Sequence, residues 1–437
     1  MKSSFLKDLI TIFQSKVAII LFGFVMSIIT ARYLGPEGNG VIAALTVYPA
    51  LFMSIGSLGI RQSTAYFVGQ EKDSIDNIYG AALSIWVFTS VIAVAACYLL
   101  IRFFTKEEYS GTLVFLAIAA IPFSLYNTYA SGIFLGKQDI REFNRINWIP
   151  AATNLAFTAL LVIAIPLGVQ GSMIGSLLAP LTMFFFVVWR VRKITNLRLN
   201  FDFVLMGKML RLGVVYAISL LIINLNYKAD IILLEKYSDS YQLGIYTKGV
   251  TIIQYLWEIP MLLSTLTFSR SAGAKDPLEF SRKVCRLLRI GGIVILLASV
   301  VIYFLSDFII VLLFGERFRE SVMVLKLLLP GVLLLTIFKV LNMDVAGKGK
   351  PWLSMTAMIP AVIINILLNI IWIPKYGANG SALSSTISYS VAAILFLFIY
   401  SSKVGIPVRE IFRYNNEDFS IVRSLLTKLK PNSIGTK

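Results

Sequence analysis

Residues 352–401, WLSMTAMIPAVIINILLNIIWIPKYGANGSALSSTISYSVAAILFLFIYS, read as two apolar stretches, 352–373 and 378–401, joined by the short break Pro374-Lys375-Tyr376-Gly377. A bilayer core takes about 20 apolar residues per helical crossing, so each stretch is long enough to be one span. The same pattern of apolar run and polar break recurs outward along the chain, near 9–32, 41–67, 78–103, 112–135, 146–166, 170–189, 211–234, 243–269, 288–314 and 321–345. Twelve spans need roughly 240 apolar residues, and 57% of the 437 residues are hydrophobic, so no soluble domain fits between them. The expected fold is an all-α integral membrane protein of twelve transmembrane helices. The first run begins after Lys7-Asp8 and lacks a small-residue cleavage site, so it reads as a retained helix rather than a signal peptide.

The net charge of +17 is explained by where the basic residues fall. The N-terminus, alternate loops and the tail from Lys403 carry 27 of the 40 lysines and arginines, and the opposite loops carry 8. By the positive-inside rule both termini are expected in the cytoplasm. The basic balance is therefore topological, which argues against a nucleic-acid partner. Anionic lipid is the expected partner of the basic loops near 190–211 and 270–289. Cys97 and Cys285 are far apart and lack metal-site spacing, and the chain has no histidine. Disulfide frameworks, zinc sites and His-based catalysis are thus not indicated, and no cofactor or metal is expected.

The chain also echoes itself. Arg32-Tyr33 followed by Gly40 returns as Lys236-Tyr237 followed by Gly244, an offset of 204 residues. Pro166, Gly168 and Gly171-Ser172 return as Pro374, Gly377 and Gly380-Ser381 at an offset of 208 to 209. Repeats of this kind build many transporters. The expected division is a six-helix bundle over 1–195, a basic cytoplasmic linker over 196–210, a second bundle over 211–402 and a cytoplasmic tail over 403–437. Six is even, so the halves enter the membrane in the same sense, a parallel repeat. Between Pro407 and Lys430 the tail mixes apolar and charged residues as an amphipathic segment on the inner leaflet would.

A charge inside a span costs at least about 2.5 kcal/mol on insertion scales and so demands a partner, a wet cavity or a function. Five bases qualify, Lys16, Arg61, Lys228, Lys248 and Lys339, with the acids Asp230, Glu258 and Asp344 at comparable depth. Residues three or four apart share a helix face. Ser54, Ser57, Arg61 and Thr64 form one stripe, and Thr247, Thr251, Gln254, Glu258 and Thr265 form another. Asn224 stacks with Lys228, Lys339 with Asn342, Asn365 with Asn369, and Ser124 with Asn127 and Ser131. Such stripes suit a water-filled interior. The structural alternatives stay open: interhelical glue for the Ser, Thr and Asn stripes, snorkelling for Lys16 and Arg61, and ion pairs of Lys228 or Lys248 with Asp230 or Glu258.

The segments Ala31-Arg32-Tyr33-Leu34-Gly35-Pro36-Glu37-Gly38-Asn39-Gly40, Lys228-Ala229-Asp230-Ile231-Ile232-Leu233-Leu234, Leu243-Gly244-Ile245-Tyr246, and Asn365 through Asn369 to Ile373-Pro374-Lys375-Tyr376-Gly377-Ala378-Asn379-Gly380-Ser381-Ala382-Leu383 resemble bacterial polysaccharide flippases. These are the O-antigen or Wzx-type members of the MOP exporter superfamily, and the resemblance covers all twelve spans. It implies a two-lobed, V-shaped, MATE-like fold in the bacterial inner membrane. The implied activity is alternating-access transfer of undecaprenyl-diphosphate-linked oligosaccharide from the cytoplasmic to the periplasmic leaflet. A polysaccharide polymerase and a chain-length regulator are the implied partners. The basic residues above, with Asn127, Asn224, Asn365 and Asn369, would line the substrate cavity, and the Gly and Pro blocks look like loop and hinge geometry.

The residues fit that chemistry directly. A polyprenyl tail can stay in lipid, but a diphosphate cannot, so the protein must supply a wet cationic groove. A cytoplasm-negative potential favours outward movement of an anion by about 2.3 kcal/mol per charge per 100 mV, and Asp230, Glu258 or Asp344 are candidate ion couplers. In a roomy cavity lysine and arginine should exchange freely at Arg61, Lys228, Lys248 and Lys339. A multidrug cation exporter of the same fold is the alternative, though it needs an unpaired buried carboxylate facing its cavity, whereas the cavity charge here is net basic. A membrane glycosyltransferase, polymerase or ligase would need a large external loop, and every outward loop here is short. A transporter, not an enzyme, is expected.

Overall fold

The computed structural model describes residues 2–272, 276–350, 352–415 and 418, and these are almost wholly helical. The helices are α1 (Lys2–Gly56), α2 (Ile60–Gln70), α3 (Ile75–Phe104), α4 (Gly111–Gly136), α5 (Ile140–Ala159, continued by a π turn, Leu160–Ala164), α6 (Gly168–Val191), α7 (Phe203–Tyr237), α8 (Ser240–Ala272), α9 (Pro277–Phe314), α10 (Ser321–Gly347), α11 (Trp352–Val404) and the short α12 (Val408–Ile411). Each expected span lies on helix, save a turn at residues 57–59 and the last two residues of the span 146–166. Among the described residues, eight stretches are long and apolar enough to cross a membrane by length and composition, and two of these, Phe13–Gln70 and Trp352–Val404, each hold two expected spans.

Local chemistry sets the ends. Ser74, Ser110, Asp139 and Asp202 each accept a hydrogen bond from a backbone N–H of the following helix's first turn, which satisfies donors that helix geometry leaves open. The two expected breaks inside α1 and α11 collapse to single left-handed glycines, Gly35 (φ 66°) and Gly377 (φ 53°), a conformation that costs a residue with a Cβ more than glycine.

Two boundaries differ from the sequence reading. The second span is broken by a turn at residues 57–59, with Leu58 and Gly59 both left-handed (φ 44° and 62°). The stripe Ser54, Ser57, Arg61, Thr64 therefore spans two helices, and its expected register is lost at the turn. The cause is tertiary: Gly59 lies against Gly213 of α7, where a Cβ on Gly59 would sit 2.7 Å from the Gly213 carbonyl carbon. The linker expected over 196–210 is helical from Phe203, because Asp202 caps α7 there. The amphipathic tail expected up to Lys430 lies, beyond residue 415 and apart from Asp418, outside the described residues.

The chain forms two compact units. The first joins Met1–Thr251 with Asp307–Val324 and Asn365–Ser384. Its core holds the fully buried Tyr48, Ile60, Ile78 and Ile121, and buried Glu142 binds Arg145 at 2.6 Å and Arg190 at 2.7 Å. The second unit is Ile252–Ser306, Leu325–Ile364 and Ser385–Lys437. Small residues let its helices approach closely: a Cβ on Gly331 would lie 2.7 Å from the Thr386 Cα, and Ser388 donates to the Ala361 carbonyl at 2.9 Å. Buried Asp344 there accepts from Ser281 at 2.7 Å, Tyr400 at 2.8 Å and Lys348 at 2.9 Å. Cys97 and Cys285 are both buried free thiols.

Candidate functional site

The loops that carry few basic residues converge within the first unit, around the start of α8 and the bend of α1. Gly40 packs on Ser240 and Gly244 packs on Pro36 so tightly that a Cβ on either glycine would lie 2.6 Å from the opposing carbonyl carbon. Adding the 204-residue offset to Pro36 and Gly40 gives Ser240 and Gly244, so this is one contact made twice, across a local two-fold relation between the repeats. The repeat-related bases follow it. Arg32 reaches the end of α9, donating through Nε to the Leu313 carbonyl at 3.1 Å and also to the Leu312 carbonyl, while Lys236 sits 3.7 Å from the Phe104 ring centre at the end of α3.

A carboxylate reinforces the junction. Glu235, 3% exposed, accepts from the Tyr48 hydroxyl at 3.0 Å, the Lys106 backbone N–H at 3.0 Å and the Tyr109 hydroxyl at 3.4 Å. Glu107 accepts from the Ser240 hydroxyl at 2.6 Å. Glu235 lies in the last turn of α7 and Glu107 in the loop after α3, both outside the apolar runs, and the sequence reading passed over both. The signal that points here is the repeat of Arg32…Gly40 at Lys236…Gly244.

Deeper in the same unit, Asp230 of α7 is buried and accepts from the Tyr246 hydroxyl at 2.8 Å and from the side-chain amides of Asn365 and Asn369 at 2.9 Å each. The expected Asn365–Asn369 face is thus brought onto an expected acid. Lys248, 5% exposed, points to α1: its ammonium donates to the Ser27 carbonyl and hydroxyl at 3.0 Å each and to the Thr30 hydroxyl at 3.2 Å, with the Phe314 ring centre 5.5 Å away. Its contacts are neutral and not the carboxylates Asp230 or Glu258, which corrects one of the ion-pair alternatives. Among the described residues, no carboxylate lies within ion-pairing distance of Arg61, Lys228 or Lys248.

The other candidates scatter. Arg61 stands in the first turn of α2, half-buried, with its Nε enclosed and unbonded. Lys16 and Lys228 are half-buried on α1 and α7. Asn224, exposed, donates to the Ser54 hydroxyl at 3.0 Å. Asn127 donates to the Pro180 carbonyl at 2.9 Å, joining α4 to α6. In the second unit, Lys339 lies 4.1 Å from the Trp257 ring centre, beside the half-buried Glu258, whose Oε2 makes no hydrogen bond.

The Asp230 knot makes a sharp stability prediction. All three of its named partners donate, so Asp230→Asn would turn an amide N–H towards donors. The variant should lose about 1–2 kcal/mol, read as a lower unfolding midpoint in detergent. An unchanged midpoint would remove the knot from any account of this fold.

Residues 29–323 match the model of the polysaccharide biosynthesis protein family. The chain belongs to that family. A second family model, lipid II flippase MurJ, matches residues 259–428. Capsular polysaccharide biosynthesis protein CapF of Staphylococcus aureus is 24% identical over 400 residues, 89% of this chain and 97% of CapF. The solved structure of lipid II flippase MurJ in an inward closed conformation is similar over 97% of this chain and 94% of that one, with a TM-score of 0.78 at 16% identity. An inward-facing multidrug resistance MATE transporter of the MOP superfamily is similar over 89% of this chain and 94% of its own, with a TM-score of 0.71 at 15% identity. These likenesses place the family member in the MurJ and MATE fold. It is a multi-pass membrane protein by the length and apolar composition of its helices, and MurJ, which it resembles in fold, is named a flippase.

Proposed function

We propose that this polysaccharide biosynthesis protein is a flippase that carries polyprenyl-diphosphate-linked oligosaccharide from the cytoplasmic to the outer leaflet of the bacterial inner membrane, with both termini cytoplasmic. The observation that carries the reading is the set of intramembrane cations, Arg61, Lys228 and Lys248, without a carboxylate in ion-pairing distance among the described residues. A buried charge that the protein leaves uncompensated is costly, and an anionic cargo would repay that cost during transport. The family and the name of its relative CapF support a glycan as that cargo. Arg61 and Lys228, half-buried, are the groups proposed to meet the diphosphate. The latch at Gly40 and Gly244 is proposed as the closed outer gate of the transport cycle.

The multidrug cation alternative needs a carboxylate open to its cargo, whereas Asp230 is buried and accepts from three neutral donors and the enclosed Glu258 stands beside the cation Lys339. The test is surface glycan in a transporter-null strain carrying each variant at matched membrane levels. Arg61→Lys and Lys228→Arg should keep most export, because a point charge suffices in an open site. Arg61→Ala and Lys228→Ala should lose roughly tenfold or more, about 1.4 kcal/mol of anion binding each, and Lys228→Glu should export nothing. Full export by both alanine variants would overturn the proposal.

A further inference from the structure

A cavity of about 960 Å³ opens in the second unit between the start of α9 and residues 406–415 together with Asp418. One wall is rigid. Arg289, 8% exposed, forks onto Asp418 with two hydrogen bonds of 2.8 Å and donates to the Ile411 carbonyl at 3.0 Å. Arg286 approaches the same carboxylate at 3.5 Å, and Arg282 pairs with Glu410 at 3.1 Å. The forked guanidinium of Arg289 holds the Asp418 carboxyl below the usual carboxylate range, so this wall stays paired at neutral pH.

The third acid of the lining, Glu279, pairs with Lys283 at 2.7 Å, so the acids are spent and the remaining arginines leave the cavity positive. Arg409 and Arg413 line the cavity, are exposed, and have no carboxylate in ion-pairing distance among the described residues. Leu278, Phe412 and Tyr414, each next in sequence to a residue that lines the cavity, are large apolar side chains exposed at 40%, 38% and 49%. Arginine interleaved with exposed aromatic residues suits a bilayer surface, where rings enter the headgroup layer and guanidinium groups meet phosphate. The apolar run of α9 begins at Ile290, directly after Arg289, so the cavity stands at the border of the hydrocarbon. A free phosphate would use the arginines but not the apolar rim.

We propose that this cavity holds the phosphate headgroup of an anionic phospholipid of the leaflet on the basic-loop side, with Arg409 and Arg413 as its ligands and Leu278, Phe412 and Tyr414 against its chains. The site is separate from the transport cations, and its occupant is a resident lipid rather than cargo. It would fasten the segment after α11 to the membrane.

The experiment uses the full chain purified in a neutral detergent, with lipid retention read by native mass spectrometry. Phosphatidylglycerol should be retained in preference to phosphatidylcholine. The double variant Arg409→Gln, Arg413→Gln should weaken phosphatidylglycerol retention roughly tenfold or more, since each arginine near an anionic surface contributes on the order of a fivefold gain. The exposed Lys403→Gln should change little. Equal retention of the two lipids, or undiminished phosphatidylglycerol binding by the double variant, would overturn the proposal. Full displacement of the lipid by millimolar inorganic phosphate would also overturn it, in favour of a free-anion site. Both arginines are exposed and outside the paired wall, so an unchanged unfolding midpoint is expected of the double variant.

Discussion

Gly40→Ala is expected to open the latch and cut glycan export by roughly tenfold or more. The added methyl has no room, because the Ser240 carbonyl carbon would stand 2.6 Å away and it is backbone, which a rotamer change cannot move. Forcing such an overlap costs about 1–3 kcal/mol, and a cost borne only by the closed arrangement shifts its population by that amount. Gly244→Ala should behave alike, since its methyl would meet the Pro36 carbonyl carbon at the same 2.6 Å. Gly207→Ala, on α7 with nothing within 4 Å, is the control and should export normally. The direct measurement is labelling of a cysteine at Thr46, beyond the latch, by a membrane-impermeant maleimide added from outside. If neither Gly40→Ala nor Gly244→Ala labels faster than the parent, the latch does not gate access.

Lys248 should be the least replaceable of the intramembrane bases. Its ammonium satisfies three oxygens of α1 at 3.0 to 3.2 Å and is 5% exposed, so Lys248→Ala leaves buried acceptors unpaired. Hydrogen bonds to charged groups contribute about 1.5–3 kcal/mol, and export should fall more than tenfold. Lys248→Arg should fail nearly as badly, since a planar guanidinium does not fit three acceptors grouped around one point. This outcome departs from the free lysine–arginine exchange expected from the sequence, and it separates Lys248 from Arg61 and Lys228. Surface glycan with membrane levels checked by blot measures it. Wild-type export by Lys248→Arg would return Lys248 to the class of simple counter-charges.

The spans were legible because apolar length is a property of consecutive residues, and the breaks at Gly35-Pro36 and Gly377 show in the chain as glycine beside loop residues. The turn at Ser57–Gly59 was not legible. Gly59 is left-handed where it meets Gly213, more than 150 residues later, and no local pattern records such a contact. The polar residues divide in the same way. Helical spacing put Asn365 and Asn369 on one face correctly, but their meeting with Asp230 and Tyr246 depends on how α7, α8 and α11 pack. Lys248 was read as a cavity charge because depth in a span can be counted, whereas the neutral oxygens of Ser27 and Thr30 that hold it lie on a helix more than 200 residues earlier. Glu235 escaped notice because it sits just past the apolar run, where a carboxylate looks solvated, yet its burial comes from Tyr48 and the loop after α3.

The paired contacts of Pro36 with Gly244 and of Gly40 with Ser240 have the form of an isologous interface, in which residue i of one subunit meets j of its partner and j meets i. Here both partners lie in one polypeptide. Each half carries a patch complementary to itself, and the fused chain uses it once, as a homodimer would across its axis. A substitution at position 40 therefore has a structural twin at 244, and one at 36 has its twin at 240. Drift on one side of the junction must be answered by the other side's carbonyl rather than by its own neighbours, so the two halves are constrained to diverge together at these four positions while their remaining surfaces are free to differ.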